Sequence, residues 1–205
     1  MATTTPNYGW AVPTSTDLVK DGATAIETLG DAIDASMNTA LGTKKAGMVL
    51  LNTTSFSGVS SQSINDVFST TYDDYRILIV ASSATASTDL TLRVRVSGSD
   101  LSTGTYTYNR IIGDGGTLNS ARSSAQTSIR CGNTTLNEET FYMIDVVNPF
   151  LTKRTVFTIN CSNQGSGAAQ DMAAAVVTNA TSYTGFTILA GNNFTGRLSV
   201  YGYNK

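Results

Sequence analysis

Acid–base, nucleophilic and metal chemistry draw on a short set of side chains, and this 205-residue chain is poor in them. It contains no histidine. That removes the side chain most used as a general base and the commonest metal ligand. A Ser-His-Asp triad and a histidine-ligated zinc site are thereby excluded. Cys131 and Cys161 alone cannot supply a four-sulfur site. Both fall in expected strands, where they read either as a cross-strand disulfide or as buried thiols. The thiol reading is preferred, because synthesis in a cytoplasm keeps thiols reduced.

Carboxylate chemistry is the remaining catalytic option. Asp73-Asp74 and Glu138-Glu139 are sequence neighbours beside expected strands. Neighbouring strand residues point to opposite faces, so neither pair is poised to share a site. A glycosidase needs two carboxylates about 5–10 Å apart across a cleft, and no spacing here indicates that. Asp145, between Ile144 and Val146, is expected to cap a turn, to pair with Arg154 or to lie at an exposed edge. Gly113-Asp114-Gly115-Gly116 lacks the helix and the Lys-Ser/Thr of a phosphate loop and reads as a turn. No EF-hand spacing is present. The expectation is a non-enzymatic chain without cofactor or metal, with a polysaccharide-degrading enzyme as a remote alternative. Tyr106, Tyr108 and Tyr183 can stack on sugar rings if exposed, and otherwise pack between strands.

Composition bounds the scaffold that carries these residues. Charged residues make up 14% of the chain and the net charge is -2, against about 25% charged in ordinary globular domains. No positive field is available to hold a phosphate backbone, so nucleic acid is not an expected partner. No apolar run reaches the ~18–20 residues of a membrane helix, and membrane insertion is not expected. The first residues lack the basic and apolar segments of a secretory signal. Thr, Ser, Asn and Gly fill the charge deficit, a mixture that favours strands and turns.

The chain divides by periodicity. Residues 5–14, with Pro6, Gly9 and Pro13, predict a leader without regular structure. It nevertheless contains Tyr8 and Trp10, large aromatics that either dock into a partner or fold back onto their own domain. Thr14 to Asp17 can cap a helix start. Ile26, Leu29, Ile33, Met37 and Leu41 then recur at steps of three and four, forming one apolar stripe. Gly42 and Lys44-Lys45 suit the helix end. A short helix is marginal alone, so its stripe must be buried against the chain's own β-domain or against copies of itself.

After Gly47 the period changes from 3.6 to 2, which sets the expected domains at 1–47 and 48–205. Leu90, Leu92, Val94 and Val96 alternate with Thr91, Arg93 and Arg95, as in a strand with one face on a core. Further expected strands are 48–53, 75–81, 106–112, 125–131, 140–147, 155–161, 172–178, 185–190 and 197–203. Asn148-Pro149, residues 163–167 and Gly191-Asn192-Asn193 read as turns between them. The expected fold is mainly β: an antiparallel, jelly-roll-like β-sandwich preceded by an extended leader and one short helix.

The segment Pro6-Asn7-Tyr8-Gly9-Trp10-Ala11-Val12-Pro13-Thr14-Ser15-Thr16-Asp17-Leu18-Val19-Lys20-Asp21-Gly22-Ala23, continuing through Ile26-Glu27-Thr28-Leu29-Gly30, resembles the N-terminal module of tail-fibre and minor structural proteins of tailed bacteriophages. More loosely, Arg93 to Gly98, Asn148-Pro149 and Gly196 to Tyr203 resemble the variable β-domains of such proteins. The resemblance implies a virion protein assembled in the host cytoplasm, trimeric, anchored at its N-terminus and exposed at the particle surface. Carried onto this chain, Tyr8, Trp10, Val12 and Pro13 would contact other virion proteins. Ile26, Leu29, Ile33, Met37 and Leu41 would line the three-fold axis. A short tail fibre with a host glycan or receptor as partner is the leading expectation. A capsid- or neck-decorating protein without receptor is the alternative.

Overall fold

The computed structural model describes residues 3–14, 18–41, 47–114, 116–163 and 170–204. The chain divides into two compact units, Met1–Ala46 and Gly47–Lys205.

In the first unit the leader is not structureless. Strands β1 (Thr3–Thr4) and β2 (Ala11–Val12) pair antiparallel, with Thr3 opposite Val12 and Thr4 opposite Ala11. Neither proline occupies a paired position, so neither breaks the ladder. The loop is closed by the Thr5 amide donating to the Trp10 carbonyl at 2.9 Å and the Gly9 amide to the Thr5 carbonyl at 3.0 Å. Gly9 turns the chain at φ 67°, a conformation that costs glycine little.

A 3-10 turn at Val19–Asp21 leads into helix α1 (Gly22–Leu41). The helix starts later than the expected Thr14–Asp17 cap, and Leu18 precedes the 3-10 turn without a side-chain cap. Ser15 to Asp17 and the expected end signals Gly42, Lys44 and Lys45 lie outside the described residues. Gly30 sits mid-helix. Thr28 and Thr39 donate back to the carbonyls of Thr24 and Ala35 at 2.8 Å. Such residues lower intrinsic helix stability, so this helix depends on packing.

The second unit is a mainly β, antiparallel sandwich made by one curled sheet. Its strands are β3 (Met48–Ile64), β4 (Asp74–Ala84), β5 (Thr88–Val96), β6 (Ser99–Asp100), β7 (Tyr106–Asp114), β8 (Thr117–Gln126), β9 (Ile129–Thr134), β10 (Thr140–Val147), β11 (Thr155–Asn163), β12 (Gln170–Val177) and β13 (Gly185–Tyr203). The order runs β6-β5-β13-β4-β10-β11-β12-β7-β8, with β3 added to β13 and β9 to β5. The first half of β13 pairs with β5, from Gly185 opposite Arg95 to Ala190 opposite Leu90. Its second half pairs with β4, from Phe194 opposite Ala84 to Gly202 opposite Tyr75. β3 accompanies β13 through both halves, with register shifts between Leu189 and Phe194 where the ladder changes layer. β9 contacts β10, β11, β12 and β7 and so closes the sandwich.

Two expectations are corrected here, and one strand was not foreseen. Gly191-Asn192-Asn193 is not a turn but lies within β13: the ladders to β3 and β5 run as far as Leu189 and Ala190, those to β3 and β4 resume at Phe194, and the Thr85 amide donates to the Asn193 carbonyl at 3.0 Å. Residues 125–131 do not form one strand; β8 ends at Gln126 and β9 begins at Ile129. The polar strand β8, exposed along nearly its whole length, was invisible to a hydrophobic pattern and is held only by β7. β10 spans Thr140–Val147 as expected, with Thr140, Tyr142, Ile144 and Val146 turned inward.

The core is built from inward-facing alternation. Tyr75, Ile77 and Ile79 of β4, Leu90, Leu92 and Val94 of β5, and Phe186, Ile188, Leu198 and Val200 of β13 are all fully buried. Each such side chain contributes roughly 1.5–3 kcal/mol. On the outer face, Asp145 does not meet Arg154. It lies opposite Arg76 in the β4–β10 ladder, and the guanidinium holds it through Nε at 2.7 Å and NH2 at 2.8 Å. The Tyr203 hydroxyl adds a third donor at 2.9 Å. These donors, Arg76 above all, hold the Asp145 carboxyl below its ordinary value.

Two outcomes follow for stability. A Cβ at Gly196 would lie 2.1 Å from the Val80 carbonyl oxygen, a backbone atom that cannot yield. Gly196→Ala is expected to destabilise the sandwich by about 3 kcal/mol, read from urea unfolding. A depressed carboxyl contributes stability that is present above its unfolded-state pKa and lost as pH falls through its folded one. Asp145→Asn should therefore cost about 1 kcal/mol at pH 7 and progressively less as the pH is taken below 4. A cost independent of pH over that range would contradict this assignment.

Candidate functional site

Two regions carry organised functional chemistry. The first is the surface of α1. The leader hairpin lies along this helix, running opposite to it. Trp10 Nε1 donates to Ser36 Oγ at 2.9 Å, while Val12 and Pro13 border a groove with Asp21, Thr24, Ala25 and Thr28. Tyr8 stacks on Trp10 with centroids 5.0 Å apart and 14° between planes. The expected anchor residues are therefore gathered into one folded hairpin rather than an extended peptide. The indole finds its hydrogen-bond partner within its own unit, which is the usual requirement of a partly buried Trp.

The leader covers only one side of the helix. Ala25, Thr28 and Ser36 are its contacts, and each precedes a stripe residue: Ile26, Leu29 and Met37. One residue on a helix is a rotation of about 100°. Ile26 and Met37 consequently stand beside the leader. Ile26 is 65% exposed and Met37 52% exposed, with Leu29 and Ile33 half-buried. Leu41 closes the helix, and its side chain lies outside the described residues. Of the four, the structure leaves Ile26 and Met37 exposed and Leu29 and Ile33 half-buried, in line with Ala25, Ala32 and Ser36.

The second region is a polar cavity of about 140 Å³ in the β-unit, bordered by Arg110, Arg130, Asn133, Asn163, Gln170 and Asp171. Its origin is a break in alternation. Along β7 the inward positions are Tyr106, Tyr108 and Arg110; along β12 they are Val177, Ala175, Ala173 and Asp171. The apolar rows end in a buried ion pair, with Arg110 Nε to Asp171 Oδ1 at 3.2 Å and NH2 to Oδ2 at 2.6 Å. Arg130 pairs with Asp89 at 2.6 Å and also donates to Asn133. Each guanidinium has its own carboxylate, but only Asp171 borders the cavity, since Asp89 lies outside the lining and is 51% exposed, so the lining offers two guanidinium groups, one carboxylate and three amides. Burial pushes the Asp89 carboxyl up, and nearby Arg110 opposes that. The sequence reading missed this cluster. The sign was available: Arg110 and Asp171 continue the parity of buried positions rather than of exposed ones.

Other candidate residues do not converge. Tyr106, Tyr108 and Tyr183 are buried, so they pack the core and present no face to a sugar. The Tyr106 hydroxyl donates to the Leu101 carbonyl at 2.7 Å. Cys131 and Cys161 are free and buried. Burial raises both thiols, Cys161 to about 12, which leaves them unreactive at neutral pH. Gly113 and Asp114 lead into the β7–β8 hairpin, closed at Asp114 opposite Thr117; Gly115 and residues 164–167 lie outside the described residues.

No protein-family model matches the chain, and a search of curated proteins finds no match. Solved structures give distant likenesses. A galectin of Caenorhabditis elegans is 12% identical, with a TM-score of 0.31, covering 71% of this chain and 94% of its own. The CBM2 module of the evolved Dit of Lactobacillus casei BL23 phage J-1 is 8% identical, with a TM-score of 0.24, covering 71% and 69% respectively. A protein of unknown function from Shewanella oneidensis MR-1 is 10% identical, with a TM-score of 0.18, covering 77% and 79%. At these identities and scores the likenesses assign the chain neither a family nor an activity.

Proposed function

We propose that this chain is a non-enzymatic structural protein of a bacteriophage particle, a short trimeric fibre subunit. The observation that carries the reading is the exposure of the apolar Ile26 and Met37 on α1, beside a face that the leader already occupies. A helix weakened by Gly30 and two back-bonding threonines needs such a stripe buried. Three parallel copies bury it at a common axis. Each stripe residue then contributes roughly 1.5 kcal/mol, against association costs of several kcal/mol. The leader stays outside that bundle, free to act as the anchor. It docks as a preformed hairpin, with the exposed ring of Tyr8 stacked on Trp10 and with Val12 and Pro13 at its base. The residue pattern of this leader, similar to that of tail-fibre proteins, supports contact with other virion proteins.

The polar cavity supports the receptor-binding form of this role over simple decoration. A cavity with guanidinium, amide and carboxylate groups side by side suits the hydroxyls of a sugar, which both donate and accept. Catalysis is not favoured there, because Asp171 and Asp89 are each engaged by an arginine and neither is placed as a proton donor.

Light scattering of the purified chain should give three times 21.6 kDa, about 65 kDa; a monomer at micromolar concentration would overturn the trimer. Ile26→Asp with Met37→Asp should weaken assembly at least 100-fold in sedimentation equilibrium while the β-unit unfolds at an unchanged urea midpoint. On a glycan array, Asn133→Ala and Gln170→Ala should lose whatever sugars the parent binds. An array on which the parent binds nothing, with particles that infect normally in its absence, would favour the capsid- or neck-decorating alternative.

A further inference from the structure

Between β3 and the connection that follows it, residues 65–73, lies a groove of about 390 Å³ bordered by Asn52, Asn65, Asp66, Ser69, Thr71 and Tyr72. That volume falls in the range of small-molecule sites. Several contacts fix the connection. Phe68 is buried in the core, and its amide donates to the Thr184 carbonyl at 3.1 Å. The buried Tyr75 hydroxyl accepts from the Ser69 amide at 2.8 Å and donates to the Ser69 carbonyl at 3.1 Å. The Ser69 hydroxyl accepts from the Thr71 amide at 3.3 Å. A Cβ at Gly202 would lie 2.5 Å from Cγ of Tyr72 and 2.7 Å from both of its Cδ atoms, so this ring sits against bare backbone that only glycine leaves open.

The polar groups of the groove are oriented from within the chain. The Thr54 hydroxyl donates to Asn52 Oδ1 at 2.8 Å, and Arg95 Nε donates to Asn65 Oδ1 at 2.8 Å. Each side-chain carbonyl thus has an internal donor, which sets the amide and leaves its NH2 group to the groove. Asp66 makes no ion pair or hydrogen bond among the described residues. It is held at φ 52°, in the left-handed region. Glycine takes that conformation most readily, so the turn alone does not call for a carboxylate. We propose that this groove binds a neutral sugar, with Asn52 and Asn65 donating to its hydroxyl oxygens, Asp66 accepting from a hydroxyl, and Tyr72 supplying an apolar wall. The site shares no residue with the cavity bordered by Arg110 and does not depend on the trimer.

The chemistry of the lining selects that class. A metal cation takes several oxygen ligands, and here both amide oxygens are occupied, leaving one carboxylate among the described lining residues. An anion would meet Asp66 with no cationic side chain in the lining to offset it. Arg95, the donor to Asn65, is itself paired with Asp100. An ammonium group would satisfy Asp66 but neither NH2 group, and an apolar molecule would leave all three unpaired. A hydroxyl both donates and accepts, so a polyol satisfies the NH2 groups and the carboxylate together. Because the internal contacts hold these groups in place beforehand, little ordering is left to oppose binding.

An open groove that meets one side of a sugar ring binds weakly, so the probes are free methyl galactoside, methyl glucoside and methyl mannoside in solution rather than glycans printed on a surface. Saturation-transfer NMR titrations compare the full chain in four forms: the parent, Asp66→Gly, Asn65→Ala, and the cavity variant Asn133→Ala with Gln170→Ala. The parent should bind at least one of the three glycosides. Asp66→Gly should weaken that binding by about tenfold or more, since a bound hydroxyl loses its acceptor. Its urea midpoint should stay close to the parent's, because glycine takes the left-handed conformation at less cost and so offsets its added freedom when unfolded. Binding lost without stability separates recognition from folding. Asn65→Ala should weaken binding in the same direction, and the cavity variant should bind as the parent does. Loss confined to the cavity variant overturns the groove and leaves the cavity reading standing. A parent that binds none of the three glycosides, or an Asp66→Gly affinity within about threefold of the parent's, overturns the proposal as well.

Discussion

The β-unit depends on the backbone ladder of one strand. β13 is 19 residues long and hydrogen-bonds to β3 along both halves, to β5 with its first half and to β4 with its second. It therefore belongs to both layers of the sandwich at once. Every other strand reaches the core through a chain of pairings that begins at β13. The close approach of Gly196 to the Val80 carbonyl, and of Gly185 to the Ile64 carbonyl, shows how tightly its neighbours press on this strand. A side chain at either place would part the ladders at the point where the two layers join.

That arrangement separates two kinds of surface. Inward positions are filled almost wholly with aliphatic and aromatic side chains, and the sheet curls to enclose them. Where the inward rows run out, at Arg110 and Asp171, the enclosed space becomes polar. A buried ion pair of this kind is rarely a gain in stability over apolar packing, since both charges must be stripped of water. Its presence at the lip of a cavity fits a recognition role. The outward face shows the opposite departure, with apolar side chains where water is expected. Both departures meet on β7 and β12, where Arg110 and Asp171 face inward and Ile111 and Met172 face outward.

The first unit follows the same logic on a smaller scale. Its helix is intrinsically weak, and its leader packs on it through Trp10 and Ser36 while leaving Ile26 and Met37 exposed. Sequence periodicity placed Ile26, Leu29, Ile33, Met37 and Leu41 on one helix, because a step of 3.6 residues is a property of the backbone alone, but it did not show that Leu29 and Ile33 are half-buried there. The leader was misread for a related reason. Pro6 and Pro13 exclude helix, but a two-residue ladder between Thr3–Thr4 and Ala11–Val12 leaves no periodic trace, and the hydrogen bond to Ser36 spans 26 residues.

What the sequence determined by itself was local: the fold class, the change of period after Gly47, the exact span of β10, the inward set of β5 and the lack of histidine chemistry. Each depends on side-chain types along a few consecutive residues. What only the tertiary structure decided was the pairing of distant segments. Gly191-Asn192-Asn193 stays within the strand because the ladders to β5 before it and to β4 after it hold β13 on either side. Asp145 selects Arg76 over Arg154 because the β4–β10 register sets them side by side. β8 exists because β7 offers an edge, and Arg110, Asp171 and Arg130 form one cavity because three strands bring them together. Residues far apart in the chain leave no mark on each other's neighbourhood in sequence, and only the closed sheet reveals that they meet.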